Sequence, residues 1–580
     1  MNGRRPEAAR LLDAAFLAGV LAYAIFGIDT RLIYHWQAPA LYLTREFTLE
    51  HLSYPGGPAD YVHRLVLQAF PSPVWGGILL TALLAGVAVL TEAWRERRSL
   101  LRFVPVLLCL YPLSLYYERT ALLEALLLGL GAAIPFARGK APRWTFLVAA
   151  PMVYFFGGAA LVVFGAIAGG AGIERRQYGW AAGFLVFAAA LPVVAERLLY
   201  TPHPAASWFF AADRWETATW WSLFLFYGIG SCWKPGPRLA GARWLPSAGA
   251  TAVLAALVVV TVLSYRANDR DRRLAALDYY ASKEDWAGVI ASSARLRSAD
   301  FNSLTRYEIN LALHETNRLG DAMFRFPQSG STMPALRTEA FLPYMIRVTD
   351  LLLRLGRAND AEHFGNEALI LGDSDPRVLR LMAEIEMAKG RPEAARKVLT
   401  VLSTEPGSAS WAQRRLADPG SGLAQRSLTR TDDFIAVWQN PDKPDADANR
   451  LLLDQLKQDP TNRMAFEFLM GNSLLARDLP GVRALLPRMR QLSGPAYETP
   501  DGRRRTPRHY QEAFAMYMDA AGEQPVIDGV EIEPETLNRM AIFKRIMSQS
   551  AGRNAAMQAA WSRFRDTYFF YYVFGPGDYR

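Results

Sequence analysis

Two acidic residues beside apolar segments are the strongest candidates for chemistry in this sequence. Asp29 directly follows the first apolar run, 11–28, so we expect it at the outer surface of a membrane. Glu124 lies within a later apolar segment, where a carboxylate is unfavourable unless it is paired or faces water. Glu124 is therefore either a functional group or one half of an internal pair with Arg119 or a neighbouring tyrosine.

Other polar side chains lie between residues 29 and 73: His35, Gln37, Glu46, Glu50, His51, Asp60 and His63. The three histidines are separated by 16 and 12 residues, which matches no common metal-ligand motif, so we predict no metal and no other cofactor. If the protein is an enzyme, the candidate catalytic residues are Asp29, Glu124 and Glu46. The candidate substrate-binding residues are then His35, Gln37, Arg64 and Arg119. Otherwise the loop is an ordered polar surface.

The composition disfavours nucleic acid as a partner and offers no nucleotide motif. The 580 residues carry a formal charge of +9, but many arginines and lysines stand between apolar runs, where the positive-inside bias explains them. No phosphate-binding glycine loop, nucleophile elbow or zinc-binding H-E-x-x-H is present. Both cysteines lie in apolar runs, so we expect no disulfide in the carboxy-terminal half.

The stretch 244–265 divides the chain into an apolar half and a charged half. It carries no charge until Arg266, and residues 246–264 as a helix would cross a bilayer core of about 30 Å. Residues 1–265 are therefore predicted to form a membrane domain of about nine transmembrane helices with a long external loop, 29–73. The other apolar segments are 11–28, 74–93, 101–117, 121–136, 145–173, 180–195 and 218–233.

The uncharged run 145–173 contains Gly157 and Gly158 and permits two topologies. It forms either one tilted helix or a hairpin of two short helices that turns at the glycines. The hairpin places the amino terminus and four basic loops on the same side, as the positive-inside bias requires. We therefore predict nine segments in a bacterial inner membrane, with a cytoplasmic amino terminus and a periplasmic carboxy-terminal domain.

The end of the external loop predicts an amphipathic helix. Pro55-Gly56-Gly57 supplies a turn, and Pro58 stands near the helix start, where proline is tolerated. Apolar residues then recur on one helical face at Val62, Leu65, Val66, Ala69 and Phe70. We expect this helix to lie along the outer membrane surface.

Residues 266–580 read as paired helices with a period near 34 residues. Turn residues recur at intervals of 36, 36 and 34, at Glu284, Gly320, Gly356 and Gly390. Ala361 and Ala395, each five positions after a turn glycine, supply the small side chain that a tightly packed helix pair needs. The pattern resembles the tetratricopeptide repeat, which implies an α-solenoid with a concave binding surface.

Two further resemblances rest on the loop LIYHWQAPALYLTREF…YPGGPADYVHRLVLQAF and on the apolar spans and repeats carboxy-terminal to it. The loop, the later spans and the repeat tail resemble an uncharacterised family of bacterial multi-spanning membrane proteins with tetratricopeptide-like carboxy-terminal domains. The architecture alone also resembles C-type glycosyltransferases with a luminal repeat tail. In that group an acidic residue of the first loop assists sugar transfer from a polyprenyl carrier. Asp29, and less well Glu46, matches that residue, whereas the paired acidic motif is absent.

The predicted fold is all-α, a polytopic helical membrane bundle followed by a tetratricopeptide-like α-solenoid. Our leading hypothesis is a membrane-anchored periplasmic scaffold of the cell envelope, which contacts membrane lipid and binds a protein or peptide on its repeats. The alternative is an enzyme similar to the C-type glycosyltransferases, acting on a polyprenyl-linked sugar at the external membrane face. In that case Asp29 would act as base or metal ligand, and Arg64 or Arg119 would face the lipid pyrophosphate. A transporter ranks third because no repeated half accompanies Glu124.

Overall fold

The computed structural model of this chain describes residues 4–95, 100–114, 121–199, 214–232, 245–334, 342–372, 374–418, 444–522, 526–527 and 529–576. Every regular element within these ranges is a helix, apart from an isolated bridge between Glu498 and Arg504. The predicted all-α class is confirmed. The chain divides into two compact units, Met1–Arg272 with Val401–Trp411, and Arg273–Thr400 with Ala412–Arg580. The predicted division into a membrane domain and a periplasmic domain at 265 stays a prediction.

The helices of the apolar half begin with a bent pair. A π-helical segment, Tyr23–Ile28, continues the first helix and ends at Asp29, after which the chain turns by 54°. The described helices are α1 (Arg4–Ala22), α2 (Thr30–Gln37), α3 (Arg45–His51), α4 (Gly57–Leu67), α5 (Pro73–Arg95), α6 (Val104–Leu113), α7 (Leu122–Ala137), α8 (Phe146–Gly157), α9 (Ala160–Glu174), α10 (Tyr178–Leu199), α11 (Arg214–Cys232) and α12 (Leu245–Ala267).

Few of the described helices are long and apolar enough to cross a membrane. Two qualify, Pro73–Trp94 and Tyr178–Ala195, and the bent pair around Asp29 makes three if it forms one span. The predicted spans at 101–117 and 121–136 correspond to α6 and α7, with 10 and 16 helical residues. These cover only about 15 Å and 24 Å of a core of about 30 Å. The nine-segment topology therefore stays a prediction.

The glycine pair divides the uncharged run 145–173 into two helices, as the hairpin topology predicts. α8 ends at Gly157 and α9 begins at Ala160. Between them Gly158 has φ 53° and ψ −107°, a backbone conformation that other residues rarely adopt. The turn before α4 packs on this break, since the Gly56 N–H donates to the Phe155 carbonyl at 2.7 Å. A β-carbon on Gly56 would stand 3.5 Å from Gly158 Cα.

The charged half consists of shorter helices. They are α13 (Asp269–Ser282), α14 (Trp286–Ser293), α15 (Ser303–Glu315), α16 (Leu319–Ala322), α17 (Leu342–Arg354), α18 (Ala358–Gly372), α19 (Pro376–Ala388), α20 (Pro392–Leu402), α21 (Ala409–Ala417), α22 (Pro444–Gln458), α23 (Arg463–Leu475), α24 (Leu479–Leu485), α25 (Arg508–Ala521), α26 (Pro534–Gln549), α27 (Arg553–Phe564) and α28 (Tyr568–Phe574). Ala361 and Ala395, predicted to pack closely, are both fully buried.

Five helix-to-helix turns in this half share one backbone geometry. Each has a residue in the left-handed conformation, and the next residue donates its N–H to the carbonyl five positions earlier. In two of these turns the Arg318 N–H donates to the Leu313 carbonyl at 2.7 Å and the Arg391 N–H to the Glu386 carbonyl at 2.8 Å. This is the Schellman ending of a helix. The left-handed residues are Glu284, Asn317, Gly356, Gly390 and Arg477.

Three of the four predicted turn positions are therefore confirmed, and the one at Gly320 is wrong. Asn317 makes that turn with φ 59°, while Gly320 lies inside the short helix α16. Asparagine is the residue after glycine that best tolerates the left-handed conformation, so it substitutes for the expected glycine.

A buried arginine joins three helices of the charged half. Arg347 on α17 is 6% exposed and donates to the Asp278 carboxylate at 2.8 and 3.1 Å and to the Glu308 carboxylate at 3.0 Å. Burial and the nearby Asp278 carboxylate raise the pKa of Glu308 well above its usual value, although Arg347 opposes this. The arginine thus bridges two buried carboxylates from different helices.

Candidate functional site

The helix α4 presents its charged face to the protein interior. Asp60 and His63 are 8% and 4% exposed, whereas the apolar residues Val62 and Leu65 are 46% and 52% exposed. The helix predicted from Asp60 onward is formed as far as Leu67. Val62 and Leu65 of its predicted apolar stripe face outward, whereas Phe70 follows the helix and is buried. The sequence suggests these polar residues as a loop surface, but packing instead gathers them into a buried cluster.

Asp60 is the centre of this cluster. Its Oδ2 accepts from Arg64 Nε at 3.1 Å and from the Tyr54 hydroxyl at 3.4 Å, and it lies 3.5 Å from His51 Nε2. Arg64 also donates through Nη1 to the Ala40 carbonyl at 2.8 Å. The predicted substrate-binding residue Arg64 is therefore engaged within the protein, where it ties the extended part of the loop to α4.

The hydrogen bonds of His51 define its protonation. Its Nδ1 lies 2.9 Å from the Phe47 carbonyl, which can only accept, so Nδ1 carries a proton. Nε2 then faces the Asp60 carboxylate, and this contact is attractive only if a second proton lies between them.

Glu124 forms the second part of the cluster. It lies in the first turn of α7, its side chain is 8% exposed, and its Oε1 is 3.5 Å from His63 Nδ1 on α4. No described residue gives its Oε2 a hydrogen-bond partner. A buried carboxylate oxygen left in this state is unfavourable unless it serves a ligand or a proton. Arg119 and the tyrosines beside it, the predicted partners of Glu124, lie outside the described residues.

Asp29 lies apart from this cluster. It occupies the bend after the π-helical segment with φ 53° and caps α2 by accepting from the Arg31 backbone N–H at 3.3 Å. Arg31 Nε and Nη2 donate to its two oxygens at 3.0 and 2.8 Å. Among the described residues, Asp29 and Glu124 share no hydrogen bond or ion pair, and the local pair with Arg31 occupies the carboxylate expected to act as base.

The other predicted site residues within the described ranges are Glu46, His35 and Gln37. Glu46 is exposed in the first turn of α3, His35 is buried in α2, and Gln37 is half-buried at the end of that helix. No group of three or more histidine, cysteine, aspartate or glutamate side chains suited to a metal ion occurs in the part of the chain that the structure describes.

Sequence reasoning places Asp60, His51 and His63 in the loop without assigning them a role, and it misses Tyr54. One signal was available: Asp60, His63 and Arg64 share the helical face opposite Val62 and Leu65. A polar face of this kind beside an exposed apolar face indicates that the charges point inward.

A second candidate site lies within the carboxy-terminal unit, which comprises Arg273–Thr400 and Ala412–Arg580. A cavity of about 480 Å³ opens beside the α23–α24 turn, next to Ser331 and the end of α28. This volume is within the range of small-molecule sites. Side chains that line it include Ser331, Asn449, Asn472, Leu475, Arg477 and Tyr571. This site combines open space with polar groups.

Comparison with known proteins identifies a family and no activity. The model of a family of unknown function, DUF6057, matches residues 6–575, nearly the whole chain. No curated protein and no solved structure is significantly similar to the chain.

Proposed function

Because the chain belongs to the DUF6057 family of unknown function, its role must be argued from its own residues, and we propose a membrane-anchored scaffold of the cell envelope. In this proposal the apolar half is a multi-pass bundle in a bacterial inner membrane with its amino terminus in the cytoplasm. The carboxy-terminal half is a tetratricopeptide-like solenoid in the periplasm, and it binds a protein or peptide.

The surface of the apolar half supports membrane anchoring. Two or three of its described helices have the length and composition of membrane spans. Large apolar side chains on these helices and on α4 are exposed, including Val62, Leu65, Trp75, Val186 and Trp180. Apolar side chains in this number on the outside of a protein are stable against lipid rather than water.

The observation that carries the scaffold proposal is the repeated Schellman turn. The same hydrogen-bond pattern joins successive helices at Glu284, Asn317, Gly356, Gly390 and Arg477. Helices joined by equivalent turns stack in one direction and leave an extended surface for a partner. The buried Ala361 and Ala395 support close packing within two of the pairs.

Complementation tests this proposal. In a strain without the chromosomal copy, the full chain and its Glu124→Gln variant should restore the wild-type envelope phenotype. A chain that ends after Ala267 keeps α1 to α12 and should fail although it still reaches the membrane. Full restoration by the shortened chain would refute a scaffold that works through its repeats.

The lipid-linked sugar transferase is the second candidate, and the unpartnered Oε2 of Glu124 favours it. The Glu124 carboxylate, which contacts His63, could accept a proton from a hydroxyl of a substrate that enters from the membrane. Loss of complementation by Glu124→Gln, with normal membrane levels and intact repeats, would favour this candidate over the scaffold. Asp29→Asn tests the residue that the resemblance to C-type glycosyltransferases indicates.

A further inference from the structure

The side-chain amide of Asn472 lines the cavity in the carboxy-terminal unit, and its neighbours determine its orientation. The backbone N–H of Thr332 donates to Asn472 Oδ1 at 2.8 Å, and the hydroxyl of Ser331 donates to the same oxygen at 3.2 Å. The other end of Asn472, Nδ2, therefore donates to Asn449 Oδ1 at 2.7 Å. Asn449 keeps its Nδ2 for other partners, and no described residue accepts from it.

Arg477 is the cation of this cavity. Its guanidinium carbon lies 5.7 Å from the centre of the Tyr571 ring, and no described carboxylate pairs with it. The Tyr571 hydroxyl donates to the Leu475 carbonyl at 3.1 Å and so fixes the ring beneath the guanidinium. A β-carbon at Gly575 would overlap the guanidinium, so the glycine leaves room for it. The arginine is thus positioned by its surroundings without being neutralised.

The backbone of Arg477 places its side chain at a helix turn beside the cavity. It is left-handed, with φ 58°, at the turn position that glycine occupies at 356 and 390. Glu284 and Asn317 adopt the same conformation at their turns, and of these three side chains only that of Arg477 lines the cavity.

Building on the scaffold function, we propose that this cavity binds the terminal carboxylate of a peptide. Arg477 and Asn449 Nδ2 donate to the carboxylate oxygens, and Leu475 and Ala476 provide apolar surface beside them. Donors without a competing negative charge exclude a cationic ligand, and charge-assisted hydrogen bonds from arginine favour a carboxylate. The volume of about 480 Å³ suits the end of a chain.

Affinity selection on the full-length protein in lipid nanodiscs tests the proposal. The probes are a mixed-sequence tetrapeptide library with free carboxyl termini and the same library with amidated termini, quantified by mass spectrometry. The free-acid library should be retained at least tenfold more strongly. Equal retention of the two libraries, or retention of neither, would overturn the proposal. Displacement by inorganic phosphate at lower concentration than by N-acetyl-leucine would assign the donors to a phosphate group instead and would also overturn it.

Three variants separate binding from folding. Arg477→Gly removes the guanidinium and relaxes the backbone, so it should lose retention at least tenfold while its thermal stability stays near that of the wild type. Asn449→Asp keeps an acceptor for Asn472 but places a negative charge in the cavity, so it should lose the free-acid peptides. Arg483→Ala is the matched control, because Arg483 lies over the Tyr517 ring at 5.5 Å outside the cavity. Loss of retention in Arg483→Ala would contradict the assignment.

Two outcomes distinguish this inference from the scaffold proposal. If the libraries fail while removal of the repeats still abolishes complementation, the carboxylate site is wrong and the scaffold stands. If a variant without residues 577–580 binds the free-acid library and the full chain does not, the cavity belongs to the chain's own terminus, and the inference of a partner fails.

Discussion

Replacement of Arg347 by methionine should strongly destabilise the carboxy-terminal unit. The substitution removes the guanidinium that bonds to Asp278 at 2.8 and 3.1 Å and to Glu308 at 3.0 Å, while an apolar chain of similar length fills the space. Both carboxylates are buried, with Asp278 7% and Glu308 2% exposed. The variant therefore leaves two neighbouring carboxylates without the guanidinium that bridges them.

Breaking a buried ion pair on one side costs about 3–5 kcal/mol, because the remaining charge is desolvated and unpaired. At 1.4 kcal/mol per factor of ten, the opening equilibrium of the unit should rise by roughly two to three and a half orders of magnitude. The combined variant Asp278→Leu, Glu308→Leu, Arg347→Met removes all three charges. It should recover most of the loss, since an apolar replacement of a whole buried network is often neutral.

The cost should also depend on pH. The pKa of Glu308 is raised by burial and by Asp278, so the folded state holds a proton that the unfolded chain, with a pKa of about 4.3, releases. The stability that protonated Glu308 contributes therefore decreases as the pH rises above the pKa of the unfolded chain. Loss of Arg347 strengthens the effect, so the penalty of Arg347→Met should be smaller at pH 5 than at pH 8.

Hydrogen exchange read by mass spectrometry on the full chain in detergent measures these changes in the amides of α15 and α17. Arg396→Met is the control, since Arg396 and Glu393 form an ion pair with 64% and 75% of their side chains exposed. It should change the opening free energy by less than about 0.5 kcal/mol. A loss below about 1 kcal/mol for Arg347→Met, or an equal loss at pH 5 and pH 8, would refute the reasoning.

Further predictions concern the helix break in the apolar half and the acid stability of the other half. Gly158→Ala should lower thermal stability in detergent by about 1–3 kcal/mol, because φ 53° and ψ −107° suit only glycine; an unchanged melting temperature would contradict this. Burial opposes ionisation of Glu512, but the His509 hydrogen bond and the Arg508 charge lower its pKa in the folded state. Ionised Glu512 therefore stabilises the fold above the pKa of the unfolded chain, about 4.3, and this stabilisation is lost as the pH falls. Glu512→Gln should therefore flatten the acid side of the melting profile, and an identical acid transition would disprove this role. Asp60→Asn should weaken protection of the α4 amides from exchange, because Arg64 loses its charged partner; unchanged protection would contradict this.

The fold could be predicted from the sequence where one residue type determines the backbone. Gly158 forces the break between α8 and α9, and glycines 356 and 390 mark helix ends, because few other residues adopt those conformations. The turn at Asn317 was not predicted, because asparagine also occurs in many other backbone conformations and therefore marks a helix end less clearly than glycine does. The predicted span 101–117 is longer than α6, because hydropathy does not reveal where a helix begins and ends, whereas 121–136 agrees with α7 to within one residue at each end.

The candidate site was harder to predict because its contacts cross the chain. Spacing alone places Asp60, His63 and Arg64 on one face of α4, but it does not show that Tyr54 and Glu124 approach them. The hypothesis for Asp29 rested on its position after an apolar run. Its neighbour two residues on, Arg31, binds both of its oxygens, and an Asp-x-Arg pattern at a helix start signals this local pairing.

The central claim is that the helix pairs lie on the periplasmic side of the membrane, and thiol accessibility tests it most directly. Natural Cys109 and Cys232 are first replaced by alanine, and one thiol is then introduced by Arg503→Cys, at a side chain that is 84% exposed, or by Lys140→Cys, in a predicted cytoplasmic loop. In intact spheroplasts a membrane-impermeant maleimide should label the Arg503→Cys protein, and it should label the Lys140→Cys protein only after lysis. Labelling in the opposite order would contradict the account.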